Sequence, residues 1–334
     1  MACQECAVQL DTLMSLGGLD GPGVASISPF STVATDASGR ILVASRLLSD
    51  QFAVFDANGR YVTSVGRAGD GPGEYRFISA IAAGPRYLHV LDDAQSRRTM
   101  LSYDFEVVRT DRLPGHAWSA AALESDAVVF SAALPTPQSV SHPLHVLDTD
   151  GVLASFGAAN DRVHRGRTTV MYVNTGRGTV WAVAERSYEL QEWRAAPVVH
   201  QRTVSVRAKW FEDDDEETFP RSLLLGAVPA GDTLWVIGRA PDRRWTGRAV
   251  PGQDPSVPIE DPINIWDGVL DAVDLRTGRR LAHLRVEAPF LGAVSGGDLI
   301  VQYGEDRFGI PYVHLVRPAL AAPPHLTPSE GGGR

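Results

Sequence analysis

Two cysteines near the N-terminus, Cys3 and Cys6, are the first residues whose spacing suggests chemistry. The C-x-x-C spacing occurs in zinc sites and in redox motifs, but a structural zinc site takes about four ligands and the sequence has no second cysteine pair. A thioredoxin-like motif belongs to a βαβ context, which this stretch lacks. We therefore expect either a local disulfide between Cys3 and Cys6 or two free thiols.

The remaining sequence motifs do not identify a reaction. The acidic run at residues 212–217 lacks the spacing and the glycine of an EF-hand loop, so a solvated charged loop is the better interpretation. His142 and His145 have no neighbouring carboxylate, and neither H-E-x-x-H nor G-x-S-x-G occurs. The glycine-rich residues 69–73 are not followed by the Lys and Ser or Thr of a phosphate-binding loop.

A set of eight charged residues of mixed sign could instead bind a polar small molecule or a peptide. These residues are Arg46, Asp92, Arg97, Glu185, Arg239, Asp267, Glu305 and Asp306. Charged residues are normally exposed, so the alternative is that they form solvated ion pairs that contribute little to stability. The choice depends on whether the elements that carry these residues bring them together.

Short runs of apolar or alternating residues, bounded by Gly, Asp, Asn and Pro, predict β-strands through most of the chain. One unit comprises four such strands, at residues 30–35, 41–44, 52–55 and 61–65. Four short strands joined by tight turns are the content of one propeller blade. Further units begin near residues 78, 118, 168, 223 and 290. Propeller blades repeat every ~40–50 residues, and a Pro-rich insertion at residues 240–267 lengthens the fifth unit.

The sixth unit is one strand short, and the missing strand stands at the other end of the chain. Residues 15–23 (SLGGLDGPG) parallel residues 64–73 (SVGRAGDGPG), and residues 155–157 (SFG) give a third, weaker copy. The first segment therefore has the sequence of an outermost strand and its exit loop. We expect residues 8–16 to pair with residues 312–316 and close the ring, which removes two exposed strand edges.

These patterns predict an all-β fold, a six-bladed β-propeller of four-stranded antiparallel blades closed by the N-terminal strand. The expected organisation is a C-x-x-C segment at residues 1–6 and the propeller at residues 7–317, in which residues 7–16 complete the last blade. Residues 318–334, rich in Pro, Gly and Ala, are expected to form a disordered tail.

Residues 69–75 (GDGPGEY) resemble the Gly-rich exit loop of NHL-repeat propellers, and Asp92 resembles the Asp that commonly ends the second strand of their blades. The resemblance covers about residues 15–112. It implies an NHL-repeat-like bacterial propeller family whose members are often exported and mostly lack an assigned reaction.

Propeller geometry sorts the connections between strands onto two faces. The short-turn face carries the turns at residues 36–39, 56–59, 148–151 and 295–297. The long-loop face carries the connections at residues 134–143, 209–221, 240–267 and 304–311. Because function in scaffolded folds tends to sit on such loops, we expect any ligand site on the long-loop face, near the central channel.

Two functions fit this reading. The first is a non-catalytic binding or scaffold propeller without a cofactor, whose long-loop face takes a protein, peptide or glycan. The alternative is a metal-dependent hydrolase or lyase, since lactonase-type propellers hold a divalent ion such as Ca²⁺ in the channel with Glu, Asp and Asn. Weak candidates for such ligands are Glu185, Asn264 and Asp267, with Asp92 and Glu305 as further carboxylates, although no spacing selects them.

The composition limits the classes of partner that we expect the protein to bind. The net charge of −9 argues against nucleic acid, which basic patches bind. No apolar run approaches the ~20 residues of a membrane helix, so we expect no transmembrane segment. We further expect a monomer. Ala2 followed by Cys3 suits a lipoprotein cleavage site, which suggests an exported, periplasmic or lipid-anchored parent.

Overall fold

The computed structural model describes residues 6–18, 27–46, 50–113, 115–132, 143–151, 153–157, 171–176, 178–195, 197–212, 220–244 and 265–321. This part of the chain forms six antiparallel sheets of four strands each and one short helix, α1 (Lys209–Glu212). None of its helices has the length and apolar character that crossing a membrane requires.

Each sheet is one blade, and its strands lie side by side in chain order, as predicted. The first blade comprises β2 (Ser31–Thr35), β3 (Ile41–Ser45), β4 (Gln51–Phe55) and β5 (Tyr61–Gly66). The second comprises β6 (Ile78–Ala83), β7 (Leu88–Asp92), β8 (Arg97–Leu101) and β9 (Val107–Arg112). The third comprises β10 (Ala117–Ala122), β11 (Val128–Ala132), β12 (Leu144–Leu147) and β13 (Leu153–Phe156).

The other three blades follow the same plan, except that the last one takes its outer strand from the start of the chain. The fourth comprises β14 (Met171–Gly176), β15 (Thr179–Ala184), β16 (Glu189–Ala195) and β17 (Val198–Ser205). The fifth comprises β18 (Leu223–Ala230), β19 (Thr233–Pro241), β20 (Trp266–Asp274) and β21 (Arg280–Val286). The sixth comprises β22 (Phe290–Ala293), β23 (Ile300–Glu305), β24 (Pro311–Ala321) and β1 (Ala7–Gly17).

Asp and Gly residues form the tight turns of the short-turn face. Oδ1 of Asp36 accepts a hydrogen bond from the backbone N of Arg40 at 2.9 Å, and Oδ1 of Asp56 accepts one from the backbone N of Arg60 at the same distance. Gly39 adopts φ = +81°, a conformation that residues with a Cβ rarely take. Hydrogen bonds from the backbone to Asp side chains therefore stabilise these turns, which the sequence predicted.

Glycines that end the outer strands share one geometry. Gly66, Gly17 and Gly157 have φ values of +101°, +102° and +93°. A Cβ at Gly66 would lie 2.7 Å from the ring of Tyr75, and one at Gly17 would lie 2.6 Å from Cδ1 of Ile27. Each of these two glycines thus lets a later side chain pack against the end of its strand. The three copies seen in the sequence are structural equivalents.

The N-terminal strand closes the ring. β1 pairs antiparallel with β24, from Ala7 opposite Ala321 to Gly17 opposite Tyr312. Leu16, which is almost fully buried, packs in the core of the sixth and first blades. The predicted completion of the last blade by the start of the chain is confirmed.

Two boundaries expected from the sequence need correction. β24 continues to Ala321, so residues 318–321 belong to the sheet rather than to a tail, because residues 7–10 of β1 pair with them. The insertion of the fifth blade is shorter than residues 240–267, since Ala240 pairs with Asp267 and Pro241 with Trp266. Residues 245–264 and 322–334 lie outside the described part of the chain.

Apolar side chains fill the space between neighbouring blades. The cluster between the first and second blades contains Phe52, Tyr75, Ile78 and Leu101, all of which are buried. Burying side chains of this size stabilises a fold by about 1.5–3 kcal/mol each, so these contacts are the main source of cohesion around the ring.

Buried polar groups also join the blades. Arg98 in the second blade is fully buried; its Nε donates to Asp111 at 3.0 Å and its guanidinium donates to the backbone O of Asp148 in the third blade at 2.8 Å. The two charges are paired and hydrogen-bonded, as a buried ion pair requires.

Asp271 in the fifth blade is a second buried polar link. Its carboxylate accepts hydrogen bonds from Tyr188 Oη at 2.7 Å, Trp210 Nε1 at 2.9 Å and His283 Nδ1 at 2.7 Å. Tyr188 belongs to the fourth blade, and Trp210 lies in helix α1 between the two blades. Burial, reinforced by the Asp271 carboxylate, raises the pKa of Tyr188 well above its usual value, so the hydroxyl stays a donor.

Candidate functional site

The ends of the second strands carry most of the charged candidates. Arg46 follows β3, Asp92 ends β7, Glu185 follows β15, Arg239 lies near the end of β19 and Glu305 ends β23. Because the second strands of all blades run in the same direction, their C-terminal ends meet on one face of the ring, which is the long-loop face. The candidates therefore share a face, but their side chains differ in what they contact.

Asp92 and Arg97 hold the exit loop that precedes the second blade. The buried carboxylate of Asp92 accepts hydrogen bonds from the backbone N of Arg76 at 2.7 Å and of Gln95 at 3.0 Å. Arg97 donates to the backbone O of Asp70 at 2.9 Å and also to that of Glu74. These contacts give both residues a structural role in fixing the loop.

Asp267, Glu305 and Asp306 are held within their own blades. Asp267 is buried and forms an ion pair with Arg285, whose Nε lies 2.6 Å from Oδ2. Glu305 accepts a hydrogen bond from Tyr303 Oη at 2.7 Å. Asp306 accepts one from the backbone N of Phe308 at 2.8 Å, which shapes the turn before β24. The first two residues lie in neighbouring blades, and nothing in the described contacts joins them in one site.

Arg239 and Arg46 lie at the mouth of the channel. Nε of Arg239 donates to the backbone O of Phe290 at 2.7 Å, and a terminal N of its guanidinium donates to the backbone O of Pro29 at 3.4 Å. Arg239 therefore reaches from the fifth blade across the sixth to the first. The backbone N of Arg46 donates to the O of Phe30 at 3.1 Å. Both arginines thus contact the segment formed by Pro29 and Phe30.

Glu185 is a carboxylate close enough to Arg239 for that charge to affect its pKa. It lies 3.6 Å from Nε of Arg186. Burial raises the pKa of Glu185 above its usual value, although the positive charges of Arg186, Arg221 and Arg239 oppose that rise. Burial favours the protonated form of a carboxyl, which is the direction of this shift.

A small cavity occupies the channel between the innermost strands. Its volume is about 40 Å³, enough for a few water molecules. All six blades line it, with Ser31, Ser119, Asn174 and Ser295 among the polar groups. Arg46 is the one ionisable side chain among the described lining residues. We call this space the channel cavity.

A turn of the sixth blade closes the channel below this cavity. We call residues 295–297 the plug turn. The backbone of Ser295 bonds to Val33 and Thr35 of the first blade at 2.9 and 3.0 Å. Its hydroxyl donates to the backbone O of Ala120 in the third blade at 3.4 Å. These bonds span the ring from one blade to the opposite one, so the plug turn lies across the channel between the channel cavity and the short-turn face. The sequence indicated a turn here but not this closure.

A second concavity lies beyond the plug turn, on the short-turn face. Its volume is about 210 Å³, and it is lined by the turns of four blades, including Ala37, Pro85, Leu123, Glu124 and Gly296. This concavity lies on the face opposite to the one on which the sequence predicted a ligand site.

The predicted metal and disulfide residues are only partly visible. Asn264 lies outside the described residues, and within those residues no three His, Cys, Asp or Glu side chains come together as metal ligands would. Cys6 is disulfide-bonded. Cys3 lies outside the described part of the chain, so its pairing with Cys6 stays a prediction.

Comparisons with known proteins agree with this architecture. A sequence profile for the DUF5128 family, described as a 6-bladed beta-propeller, matches residues 26–155. The chain has the six-bladed β-propeller fold. No curated protein matches the propeller's sequence. The NHL-repeat resemblance stays a prediction.

Solved structures extend the similarity to the whole propeller. A member of the duf4221 family from Bacteroides vulgatus is 9% identical, with 94% of this chain and 99% of that chain covered and a TM-score of 0.63. A putative exported protein from Bacteroides fragilis is 13% identical, with coverages of 93% and 95% and a TM-score of 0.59. A streptogramin B lyase is 8% identical, with coverages of 94% and 98% and a TM-score of 0.51. At these identities the likeness concerns the fold alone.

Proposed function

We propose that this propeller is a non-catalytic binding module whose long-loop face holds a protein or peptide segment. The observation that carries the proposal is the shallow channel cavity, which opens on a face whose charged side chains are fixed by contacts within the protein. A surface that is already ordered loses little entropy when a partner binds, which favours recognition.

The size of the channel cavity supports binding at the face rather than inside the ring. Pockets that enclose a small-molecule substrate measure about 300–1,000 Å³, whereas the channel cavity measures about 40 Å³. Only the tip of a ligand fits in it. The rest of the partner would therefore rest on the surrounding strand ends and loops.

The second candidate is the metal-dependent hydrolase or lyase expected as an alternative from the sequence, with a divalent ion such as Ca²⁺ in the channel. The streptogramin B lyase has a related fold, which shows that such a ring can belong to a lyase. A metal site would need several carboxylate, Asn or His groups at one point of the channel. The described lining residues of the channel cavity supply Asn174 but no carboxylate or imidazole, so we rank this candidate second.

A binding experiment with the full chain tests the first proposal. Arrays of synthetic peptides and of oligosaccharides are probed with the labelled protein and with two charge-reversed variants. Arg46→Glu changes the long-loop face, whereas Arg60→Glu changes an exposed residue of the short-turn face. We expect peptide binding that Arg46→Glu weakens at least about tenfold, equivalent to about 1.4 kcal/mol, and that Arg60→Glu leaves unchanged.

Two results would contradict the proposal. Equal loss in both variants would place binding elsewhere than the long-loop face, and retention of oligosaccharides alone would identify a glycan module. Elemental analysis of the purified protein checks the rival function, because a stoichiometric divalent metal together with loss of that metal on substitution of Asn174 would favour the metal-dependent enzyme.

A further inference from the structure

The channel cavity holds hydrogen-bond donors on opposite sides of the ring. Ser31 begins β2 in the first blade, and Ser119 lies in β10 of the third blade. Both line the channel cavity and both are more than nine-tenths buried, at 6% and 8% exposure. The two hydroxyls therefore face a common small space from different blades.

Each of these hydroxyls still has its proton to donate. Ser31 Oγ accepts a hydrogen bond from the backbone N of Ser28 at 2.9 Å, and Ser119 Oγ accepts one from the backbone N of Val173 at 3.1 Å. A serine hydroxyl carries one donor as well as its acceptor sites. In the described part of the chain neither hydroxyl donates to a protein acceptor, so both are suited to donate to a ligand.

Positive charge accompanies these donors. Arg46 lines the channel cavity itself, and the guanidinium of Arg239 donates to the backbone O of Pro29, next to the Phe30 carbonyl that accepts a hydrogen bond from the backbone N of Arg46. Burial raises the pKa of Glu185, a carboxyl near Arg239. The Arg46 guanidinium and two hydroxyl donors around one space favour an anionic ligand group.

The dimensions of the channel cavity select the kind of anion. A space of about 40 Å³ admits a group the size of a few water molecules, and the plug turn lies beneath it. A planar carboxylate matches this size and also matches the fork of an arginine, which binds carboxylates with two parallel hydrogen bonds. A sugar ring or an aromatic side chain is too large to enter.

We propose that the channel cavity recognises the C-terminal carboxylate of a bound peptide, with Arg46 as the cation and Ser31 and Ser119 as hydroxyl donors. This inference rests on the proposed function, because it identifies the part of the bound peptide that the long-loop face recognises. The residues of the peptide that precede its carboxylate would lie on the face outside the mouth.

The test uses two pools of fluorescein-labelled random octapeptides, one ending in a free carboxylate and the other in a carboxamide. Binding of each pool to the full chain is measured by fluorescence anisotropy. A hydrogen bond to a charged group contributes about 1.5–3 kcal/mol, so we expect the acid pool to bind at least about tenfold more tightly than the amide pool. Arg46→Ala should abolish the difference, and Arg60→Ala, on the short-turn face, should preserve it.

Ser119→Ala provides a second variant, since it removes one donor without changing charge and should reduce the preference for the acid pool severalfold. Circular dichroism confirms that each variant is folded. Equal binding of both pools to the wild type overturns the carboxylate inference and leaves peptide binding intact. Binding of neither pool overturns both proposals. A preference that Arg46→Ala and Ser119→Ala leave unchanged assigns the carboxylate to another site and also overturns the inference.

Discussion

Buried polar residues decide which charged groups of this propeller are available to a ligand. Asp92 and Asp267 are candidate ligand or metal residues in the sequence, yet both are buried and accept hydrogen bonds from protein donors, as Asp271 does. Removing such donors or acceptors leaves a partner unsatisfied at a cost of about 1–3 kcal/mol. At the residue scale, these carboxylates therefore serve the stability of the ring.

His89 makes the stability of the fold depend on pH. It is fully buried, and burial, with the charge of Arg98 adding to it, lowers its pKa from 6.5 to about 4. The unfolded chain takes up this proton at higher pH than the folded protein does. The free energy of unfolding is therefore not reduced by His89 above pH 6.5. As the pH falls from 6.5 toward 4, protonation of His89 in the unfolded chain lowers the free energy of unfolding by about 3 kcal/mol in total.

Urea unfolding at pH 7.5 and pH 4.5 measures this effect. We expect His89→Gln to reduce the loss of unfolding free energy between the two pH values by about 2–3 kcal/mol relative to the wild type. His200→Gln, which removes an exposed histidine, is the matched control and should not change that loss. The same pH dependence in wild type and His89→Gln would show that other groups dominate acid unfolding.

At the scale of elements, the exit loop after β5 depends on a glycine. Gly66 has φ = +101°, and a Cβ there would lie 2.7 Å from the ring of Tyr75. Left-handed strain of about 1–2 kcal/mol and overpacking of about 1–3 kcal/mol would add, so we expect Gly66→Ala to destabilise the fold by about 2–5 kcal/mol. The midpoint of thermal unfolding followed by circular dichroism measures the change.

Gly309→Ala separates the two contributions to that loss. Gly309 has φ = +74°, but a Cβ there would meet no atom within 4 Å. This variant should lose only the backbone contribution, about 1–2 kcal/mol. If both alanine variants are equally unstable, packing of Tyr75 against the strand end is unimportant.

The sequence predicted that the strands exist, but it predicted less well where they end. Period-two patterns and Asp–Gly turns placed the strands of all six blades because both signals are local. The extension of β24 through Pro318 was missed because a Pro-rich, Gly-rich composition indicates disorder. Pro318 is tolerated there because β23 pairs with β24 only as far as Val316, so Pro318 has a paired strand on one side only, that of Leu10, which lies more than 300 residues away in the sequence.

At the scale of the whole molecule, β1 keeps the ring closed. Deletion of residues 1–16 removes the outer strand of the sixth blade, including the buried Leu16 and the partly buried Leu10 and Met14. Each buried apolar side chain contributes about 1.5–3 kcal/mol, and a native fold is stable by only about 5–15 kcal/mol. We expect the truncated protein to melt at least about 10 °C lower or to aggregate, as read by circular dichroism and gel filtration.

Removal of residues 322–334 is the control for that deletion. These residues follow the end of β24, so their loss should leave the melting temperature unchanged. A deletion of residues 1–16 that melts like the full chain would contradict closure by the N-terminal strand.

The sequence predicted which face of the ring carries the candidate site, but not which of its residues are available to a ligand. Chain order fixes which strand ends meet, so Arg46, Glu185 and Arg239 could be assigned to the long-loop face from the sequence. Which charges are engaged depends on partners such as Arg285 for Asp267, and that pairing follows from the register of β20 with β21, which sequence spacing alone does not fix. The serines of the channel cavity gave no signal, because a lone serine in a strand has no distinctive pattern.

The pairing of Ala7 with Ala321 has a consequence for how the protein is oriented. These residues lie side by side where β1 begins and β24 ends, on the side of the ring that carries the plug turn. A tether or fusion joined directly to Ala7 or to Ala321 would therefore leave the ring on one side. Arg46 and Arg239, on the long-loop face, would then lie on the side of the ring opposite to the attachment.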